Sequence, residues 1–126
     1  MAKHLDTGRK GEALAETALT EMGYQILERN WRHKHLEVDL IALEKGMLVF
    51  VEVKTRNDLR YGEPHEAIDW KKEQKLARAA NIYLSQQSYK GEVRFDIVSV
   101  VLPQDVPAGL DIVPTVEVIR DAFWPR

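Results

Sequence analysis

The chain has 126 residues, of which 44% are hydrophobic, and a formal net charge of −2 at pH 7. This length fits one compact domain over residues 1–126 that is able to bury a core. Cysteine is absent, which excludes a disulfide framework or thiolate zinc site and favours a cytoplasmic location, and no apolar run suggests a membrane span or signal peptide.

The first part of the chain has the pattern of a helix. Asp6 or Thr7 is a suitable N-cap, and Gly23 is a suitable end for a helix that runs to about Met22. Apolar residues recur at helical spacing between them. They are Leu14, Ala15, Ala18, Leu19 and Met22. Glu12 lies in the first half of this helix, and a strand is predicted over residues 24–31, followed by a polar, basic connection over residues 32–35.

A β-hairpin with a charged end is the most informative feature of the sequence. If Lys45-Gly46 forms a two-residue turn, the numbers of opposed residues sum to 91. Asp39 then lies opposite Glu52, and Glu37 lies opposite Lys54. The Cβ atoms of directly opposed residues are about 5 Å apart, so two carboxylates could share one divalent cation.

The remaining hairpin residues indicate whether these charges are exposed. One face is apolar throughout, and the charged face is apolar near the turn. The first face has Val38, Leu40 and Ala42 opposite Val49, Val51 and Val53, and the second has Ile41, Leu43, Leu48 and Phe50. Carboxylates held together in a partly desolvated place repel each other unless a cation or a basic partner compensates. The alternative interpretation is a solvated ladder of ion pairs at an exposed strand end.

The second half of the chain predicts one helix between strands. Residues 57–64 have the composition of a loop, and a helix with a basic face extends from His65 or Ile68 to Gln87. Residues 92–102 predict a strand, residues 103–114 a loop with three prolines, and residues 115–119 an edge strand. The order of helix, three strands, helix and two strands predicts an α/β fold with a mixed sheet flanked by helices.

The hairpin charges suit metal-dependent phosphodiester hydrolysis. Asp39 and Glu52 would hold Mg²⁺ or Mn²⁺, with the backbone carbonyl of Val53 as a further ligand, because these ions prefer hard oxygen donors. Lys54 would position water and stabilise charge at phosphorus. Glu12 is a candidate additional ligand, and a surface helix residue is the alternative for it.

Basic residues are concentrated in short stretches although the net charge is negative. Ten of the 18 lysines and arginines fall in three of them. These are Arg29, Arg32 and Lys34; Lys54, Arg56 and Arg60; and Lys71, Lys72, Lys75 and Arg78. Arg32, Lys34, Arg56 and Arg60 are the candidate nucleic-acid contacts. The last stretch fits the solvated face of a helix better.

Other residues give little support for a different kind of functional site. His33 and His35 lack the further histidines of a zinc site, and no phosphate-binding loop or hydrolase motif occurs. Trp31, Trp70 and Trp124 are predicted to be core or half-buried packing residues rather than base-stacking platforms.

The motifs together resemble those of a known family. Gly11-Glu12, the segment from Leu36 to Ala42, the segment from Val49 to Arg56 and the segment from Arg94 to Val98 resemble the YraN-like family of bacterial proteins. That family is similar to the PD-(D/E)xK nucleases, which have the restriction-endonuclease-like fold, and especially to archaeal Holliday-junction resolvases. The resemblance implies an active site of Glu12, Asp39, Glu52 and Lys54.

Three functions are consistent with these patterns. The leading one is a Mg²⁺- or Mn²⁺-dependent endonuclease that acts on DNA, including branched DNA in repair or recombination. The others are a non-catalytic nucleic-acid-binding or scaffold protein that works through a partner, and a ribonuclease. Symmetric cleavage of a four-way junction would require a homodimer, for which the apolar C-terminal segment around Val113, Val116, Val118 and Phe123 is a candidate interface, although packing within the monomer is the expectation.

Overall fold

The computed structural model describes residues 3–57, 69–103, 109–110 and 113–124, with side chains from Gly8 onward. Two helices and five strands follow the predicted order. They are α1 (Lys3–Glu21), β1 (Gln25–His33), β2 (Leu36–Glu44), β3 (Met47–Arg56), α2 (Trp70–Gln86), β4 (Val93–Val101) and β5 (Thr115–Ile119). The predicted edge strand at the C-terminal end is confirmed.

The five strands form one mixed sheet in the order β1-β2-β3-β4-β5. All neighbours are antiparallel except β3 and β4, which are parallel and are connected through α2. Parallel neighbours require a crossover connection, and a helix usually provides it. The fold is therefore α/β, as predicted, and is consistent with the restriction-endonuclease-like fold.

Each face of the sheet has its own hydrophobic core, because successive strand residues point to opposite faces. The core on the α1 face includes Ala15 and Leu19 of the helix and Leu40, Val49 and Val51 of the sheet. The core on the α2 face contains Ile41, Phe50 and Phe95 from the sheet and Leu76, Ala79, Ala80 and Tyr83 from the helix. Both sheet faces near the hairpin turn are thus covered, as the apolar pattern predicted.

The helix starts differ from their predictions. Helix α1 begins at Lys3, so Asp6 and Thr7 lie inside it and do not occupy its N-cap. A residue type that favours the N-cap marks the start of a helix only if the backbone before it is not helical. Here the residues before Asp6 are helical as well. Helix α2 begins at Trp70, and the Asp69 side chain caps it by accepting a 2.9 Å hydrogen bond from the Lys72 backbone N–H. The predicted starts at His65 and Ile68 lie outside the described residues.

The hairpin between β2 and β3 has the predicted register. Lys45 and Gly46 form the turn with φ angles of 51° and 80°, the pair of positive values that two-residue hairpin turns favour. The ladder runs from Glu44 opposite Met47 to Leu40 opposite Val51, and each pair of residue numbers sums to 91. It stops there, although β2 remains paired with β1 as far as Leu36.

The part of β2 beyond this ladder departs from the predicted alternation. Val38 was predicted to share a face with Leu40, but it belongs to the core on the α2 face. In this region β2 stays paired with β1 and separates from β3. Alternation along the β2–β3 pair therefore no longer determines the face of the sheet on which the β2 side chains lie. The connection between β1 and β2 is also shorter than predicted, because Arg32 and His33 belong to β1.

A network of charged groups joins the strands at the turn end of the sheet. Arg94 donates to Asp96 Oδ1 at 2.8 Å and to Glu44 Oε1 at 2.7 Å. Tyr24 donates its hydroxyl hydrogen to Asp96 Oδ2 at 2.6 Å, and Arg120 donates to Glu44 Oε2 at 2.6 Å. We call these five residues the Arg94 cluster. It ties the segment after α1 and the segment after β5 to the sheet.

The C-terminal strand packs within the monomer. Val116 and Val118 lie against the core on the α1 face, and Phe123 stacks on Phe95 with ring centroids 5.2 Å apart. Val113 differs from them, because it is 72% exposed. These contacts agree with the expectation of packing within the monomer, and a homodimer stays a prediction.

Candidate functional site

Asp39 lies where β2 separates from β3. Its Oδ2 accepts a 2.8 Å hydrogen bond from the Val53 backbone N–H. In a continued ladder with the sum of 91, Val53 would instead pair with Val38, which is opposite Trp31 of β1. The carboxylate of Asp39 therefore replaces a backbone partner and bridges the two strands at the opening.

Glu52 follows Val51, the last residue of β3 that pairs with β2, and is only 7% exposed. Its Oε1 lies 3.2 Å from Nζ of Lys72 in the first turn of α2. The sequence interpretation missed Lys72 because it placed this lysine on a solvated helix face. Helical spacing shows which side of α2 is apolar, but it does not show which residue of the sheet lies under the helix end.

The middle of α1 approaches β3 closely, with Gly11 of the helix against Thr55 of the strand. A Cβ atom on Gly11 would collide with the Thr55 side chain. Only glycine allows this distance between helix and strand, and Glu12 is the next residue of α1. Glu12 is partly exposed, and its charge contributes to the pKa of Asp39. The structure therefore places Glu12 close enough to Asp39 for electrostatic interaction.

The acids of this region repel one another in a half-buried place. Burial, the charge of Glu52 and the charge of Glu12 raise the pKa of Asp39 to about 7, and the Val53 hydrogen bond lowers it in part. Burial also raises the pKa of Glu52, while the Lys72 ion pair and Lys54 oppose the shift. Carboxyl groups with raised pKa values near a cleft are a common property of functional sites.

Glu37 and Lys54 do not form the predicted pair. Glu37 instead lies opposite Arg32 on β1, and Arg32 Nη2 is 3.5 Å from Glu37 Oε1. The β2–β3 ladder has already ended, so the register no longer holds Glu37 against Lys54. Lys54 is half-buried two residues after Glu52 on β3, and both residues have the same orientation relative to the sheet.

The oxygen donors available here suit a divalent cation. The N–H of Val53 points towards β2, and in a strand the carbonyl of the same residue points to the same side. Asp39, Glu52 and that carbonyl supply the hard oxygen ligands that Mg²⁺ and Mn²⁺ prefer. Over the described ranges, no three His, Cys, Asp or Glu side chains are grouped closely enough to hold a metal ion in their present orientations.

Basic residues lie around the acids. Arg32 and Lys34 are exposed at the tip of the β1–β2 hairpin, beside Glu37. Arg56 is half-buried at the end of β3, and its carbonyl accepts a 2.7 Å hydrogen bond from the Leu102 N–H. Arg60 lies outside the described residues. The roles of these residues in nucleic-acid binding stay predictions.

The tryptophans are only partly the packing residues that the sequence predicted. Trp31 is half-buried, with its ring edge-on to Tyr83 at 5.6 Å. Trp70 and Trp124 are 66% and 59% exposed, so the packing prediction is wrong for these two. A cavity of about 400 Å³ lies between them, with Phe123 in its wall. Apolar residue type alone could not identify them as surface residues.

Comparison with known proteins agrees with the sequence motifs. A family model described as "Uncharacterised protein family UPF0102" matches residues 11–100, the range that contains α1 from Gly11, the hairpin, α2 and most of β4. The chain belongs to the UPF0102 family. The YraN-like resemblance is thereby confirmed, and the matched range includes Glu12, Asp39, Glu52 and Lys54.

Individual relatives cover nearly the whole chain. A UPF0102 protein of Chlorobium chlorochromatii is 44% identical over 119 residues, which are 94% of this chain and 92% of the relative. One from Rhodococcus opacus is 44% identical over 98% of this chain and all of its own length. One from Bacteroides thetaiotaomicron is 38% identical over 99% of this chain and 98% of its own length. Similarity therefore extends beyond the range of the family model.

Neither α1 nor α2 has the length and apolar character needed to cross a membrane, as far as the described residues show. This agrees with the absence of long apolar runs in the sequence. The cytoplasmic location stays a prediction.

Proposed function

We propose that this protein is a metal-dependent endonuclease that hydrolyses phosphodiester bonds in DNA. The observation that carries the proposal is the pair of Asp39 and Glu52 at the opening between β2 and β3. Both carboxyl groups are largely withdrawn from water, and burial raises the pKa of each. Such an arrangement costs folding free energy unless a cation compensates it.

The donor set supports Mg²⁺ or Mn²⁺ as that cation. Asp39, Glu52 and the Val53 carbonyl would hold it, and Glu12 would add charge from α1. When bound, the ion would supply an activated water and neutralise charge on the phosphate. The Asp39 carboxylate has a fixed orientation for this task because the Val53 N–H already holds one of its oxygens.

Lys54 would act on the phosphate and the attacking water. It is half-buried and points to the same face as Glu52. Its ammonium group would stabilise the negative charge that develops at phosphorus and would orient the water by hydrogen bonding. Charge stabilisation and water positioning, rather than a role as general base, are the functions proposed for it.

The basic residues around the acids support a nucleic-acid substrate. Arg32 and Lys34 at the β1–β2 tip extend into solvent beside the site, where they can contact phosphates that flank the scissile bond. Arg56 and Arg60 follow Lys54 along the chain. Because the net charge of the protein is −2, binding depends on these local groups rather than on an overall positive field.

A cleavage assay tests the proposal. Wild type and Glu52→Gln are incubated with linear duplex, single-stranded, flap and four-way-junction DNA and with RNA, each with Mg²⁺, Mn²⁺ or EDTA. We expect DNA cleavage by the wild type that requires metal and is at least about 100-fold slower in Glu52→Gln. The comparison of substrates also identifies the preferred DNA structure.

Glu117→Gln is the matched control, because Glu117 is exposed on the edge strand β5 and the change removes the same charge. It should cleave at the wild-type rate. Equal cleavage by Glu52→Gln would indicate a contaminating nuclease and contradict the proposed site. Retained DNA binding without cleavage of any substrate would instead support the non-catalytic alternative, and cleavage of RNA alone would support the ribonuclease.

A further inference from the structure

Lys72 of α2 forms an ion pair with a proposed metal ligand. Its ammonium lies 3.2 Å from Glu52 Oε1, and its side chain is 42% exposed while that of Glu52 is 8% exposed. The ion pair therefore connects a buried carboxylate to solvent through a long, flexible side chain. One partner of the pair can move, whereas the other is fixed in the sheet.

The backbone of Lys72 is held in place independently of this ion pair. Asp69 caps α2 and accepts the Lys72 N–H at 2.9 Å. Helix α2 packs on the sheet through Leu76, Ala79 and Ala80. The ammonium can therefore leave Glu52 by side-chain rotation alone, without movement of the helix.

The charge of Lys72 does in the metal-free protein what a metal ion would do. Lys72 opposes the effect of burial on the pKa of Glu52, and both its charge and its hydrogen bond contribute. The divalent ion would bind the same carboxylate. A divalent ion and an ammonium group beside one buried carboxylate repel each other, so metal binding weakens the Lys72 ion pair and the two cations compete.

We propose, on the basis of the proposed nuclease function, that Lys72 exchanges partners during the binding of metal and substrate. It pairs with Glu52 in the metal-free protein, is displaced when a divalent ion binds Glu52, and then pairs with a DNA phosphate beside the site. Lys72 is thus a positioning residue that links metal binding to DNA binding. By thermodynamic reciprocity, each ligand then strengthens binding of the other.

The first arm of the test measures metal binding without DNA. Mn²⁺ is titrated into wild type, Lys72→Met and Lys75→Met, and free Mn²⁺ is followed by electron paramagnetic resonance. Lys75 is an exposed lysine of the same helix, so Lys75→Met removes the same charge from α2. We expect Lys72→Met to bind Mn²⁺ about tenfold more tightly than wild type and Lys75→Met to differ by less than about twofold. Asp39→Asn should lose this binding, which assigns it to the site.

The second arm measures DNA binding, and its readout does not depend on cleavage. A fluorescent four-way junction is titrated with each protein in EDTA and in Ca²⁺, and anisotropy is recorded. In EDTA, the DNA affinity of Lys72→Met should be within about twofold of that of wild type. The reason is that Lys72 of the metal-free wild type is paired with Glu52 and does not contact DNA. In Ca²⁺ the variant should bind about three- to tenfold more weakly than wild type. Lys75→Met should give the same ratio to wild type in both conditions.

The outcomes separate this inference from the nuclease proposal. Equal or weaker Mn²⁺ binding by Lys72→Met would overturn the exchange, and so would an equal loss of DNA affinity with and without Ca²⁺. Both results leave a nuclease without the Lys72 exchange. Conversely, the expected binding pattern in a protein that cleaves no substrate would support the exchange and overturn the nuclease. Thermal unfolding of each variant shows whether it is folded before these titrations.

Discussion

Two carboxylates of β2 lie in opposite electrostatic settings. Near the hairpin turn, Glu44 is 3% exposed and receives hydrogen bonds from Arg94 and Arg120, which hold its pKa below the usual value. Near the opening, Asp39 receives one backbone hydrogen bond and faces other acids, and its pKa rises to about 7. The two residues lie on the same strand, five positions apart.

This difference separates a structural cluster from a candidate functional one. In the Arg94 cluster each acid has basic or hydroxyl partners, so burial of these groups is compensated within the fold. At the opening, Lys72 and Lys54 compensate only part of the acidic charge. A protein that retains uncompensated carboxylates at one end of a sheet gives up stability there, and functional sites are where this usually occurs.

Removal of Arg94 should have the largest effect on stability. Arg94→Met leaves Asp96, which is fully buried, and Glu44 without their shared cation. We expect a loss of about 3–5 kcal/mol in the free energy of unfolding, measured by urea denaturation at pH 7. Arg29→Met is the control, because the Arg29 side chain is 57% exposed in its ion pair with Glu16, and the loss there should stay below about 1 kcal/mol. Similar losses in both variants would show that the Arg94 cluster has no special role.

Neutralisation of Asp39 should act in the opposite direction. An acid whose pKa is higher in the folded protein destabilises the fold as pH rises from about 4 to about 7, and the full penalty is present above pH 7. Asp39→Asn keeps an oxygen for the Val53 N–H but loses the charge. The gain in the free energy of unfolding of Asp39→Asn over wild type should therefore be about 2 kcal/mol larger at pH 8 than at pH 5.

The measurement is urea denaturation of both proteins at the two pH values. Adding Mg²⁺ at pH 8 should stabilise wild type more than Asp39→Asn, because only wild type keeps both carboxylates. A stability difference between the two proteins that does not change with pH would contradict the repulsion inferred at the opening.

The approach of α1 to the opening gives the smallest of these effects. Gly11→Ala should destabilise the protein by about 1–2 kcal/mol, because the added methyl group collides with Thr55 and pushes α1 from β3. Gly8→Ala is the control three residues earlier in α1, where a Cβ atom meets nothing within 4 Å. It should be neutral or stabilising by up to about 1 kcal/mol. Thermal and urea unfolding measure both changes, and equal effects would show that the close approach is not required.

The order of elements was predictable because each depends on local pattern. The stripe of apolar residues in α1 and the alternation along the hairpin each identify one element, and Gly23 and Gly46 mark ends with positive φ angles. Helix starts were less predictable. The helix α1 already includes Asp6 and Thr7, because it starts at Lys3. A residue that is able to act as an N-cap does so only at the first turn of a helix.

The site itself was partly predictable. The charged end of the hairpin identified Asp39 and Glu52 as candidates, and the family resemblance identified Glu12. The predicted ladder pair of Asp39 and Glu52 does not form, because the β2–β3 ladder ends at Leu40 and Val51. Lys72 was not predictable, because its contact with Glu52 depends on how the end of α2 lies over the sheet. The exposure of Trp70 and Trp124 was also missed, since nothing in an aromatic residue's neighbours along the chain shows whether another element covers it.

The sequence by itself determined the hairpin register. Lys45-Gly46 can adopt the two positive φ angles of a tight turn, and this turn fixes every pair up to Leu40 and Val51. Only the tertiary structure decided what happens beyond that pair. There β2 stays with β1 and leaves β3, so the contacts of Asp39 depend on the whole sheet and both helices rather than on the turn.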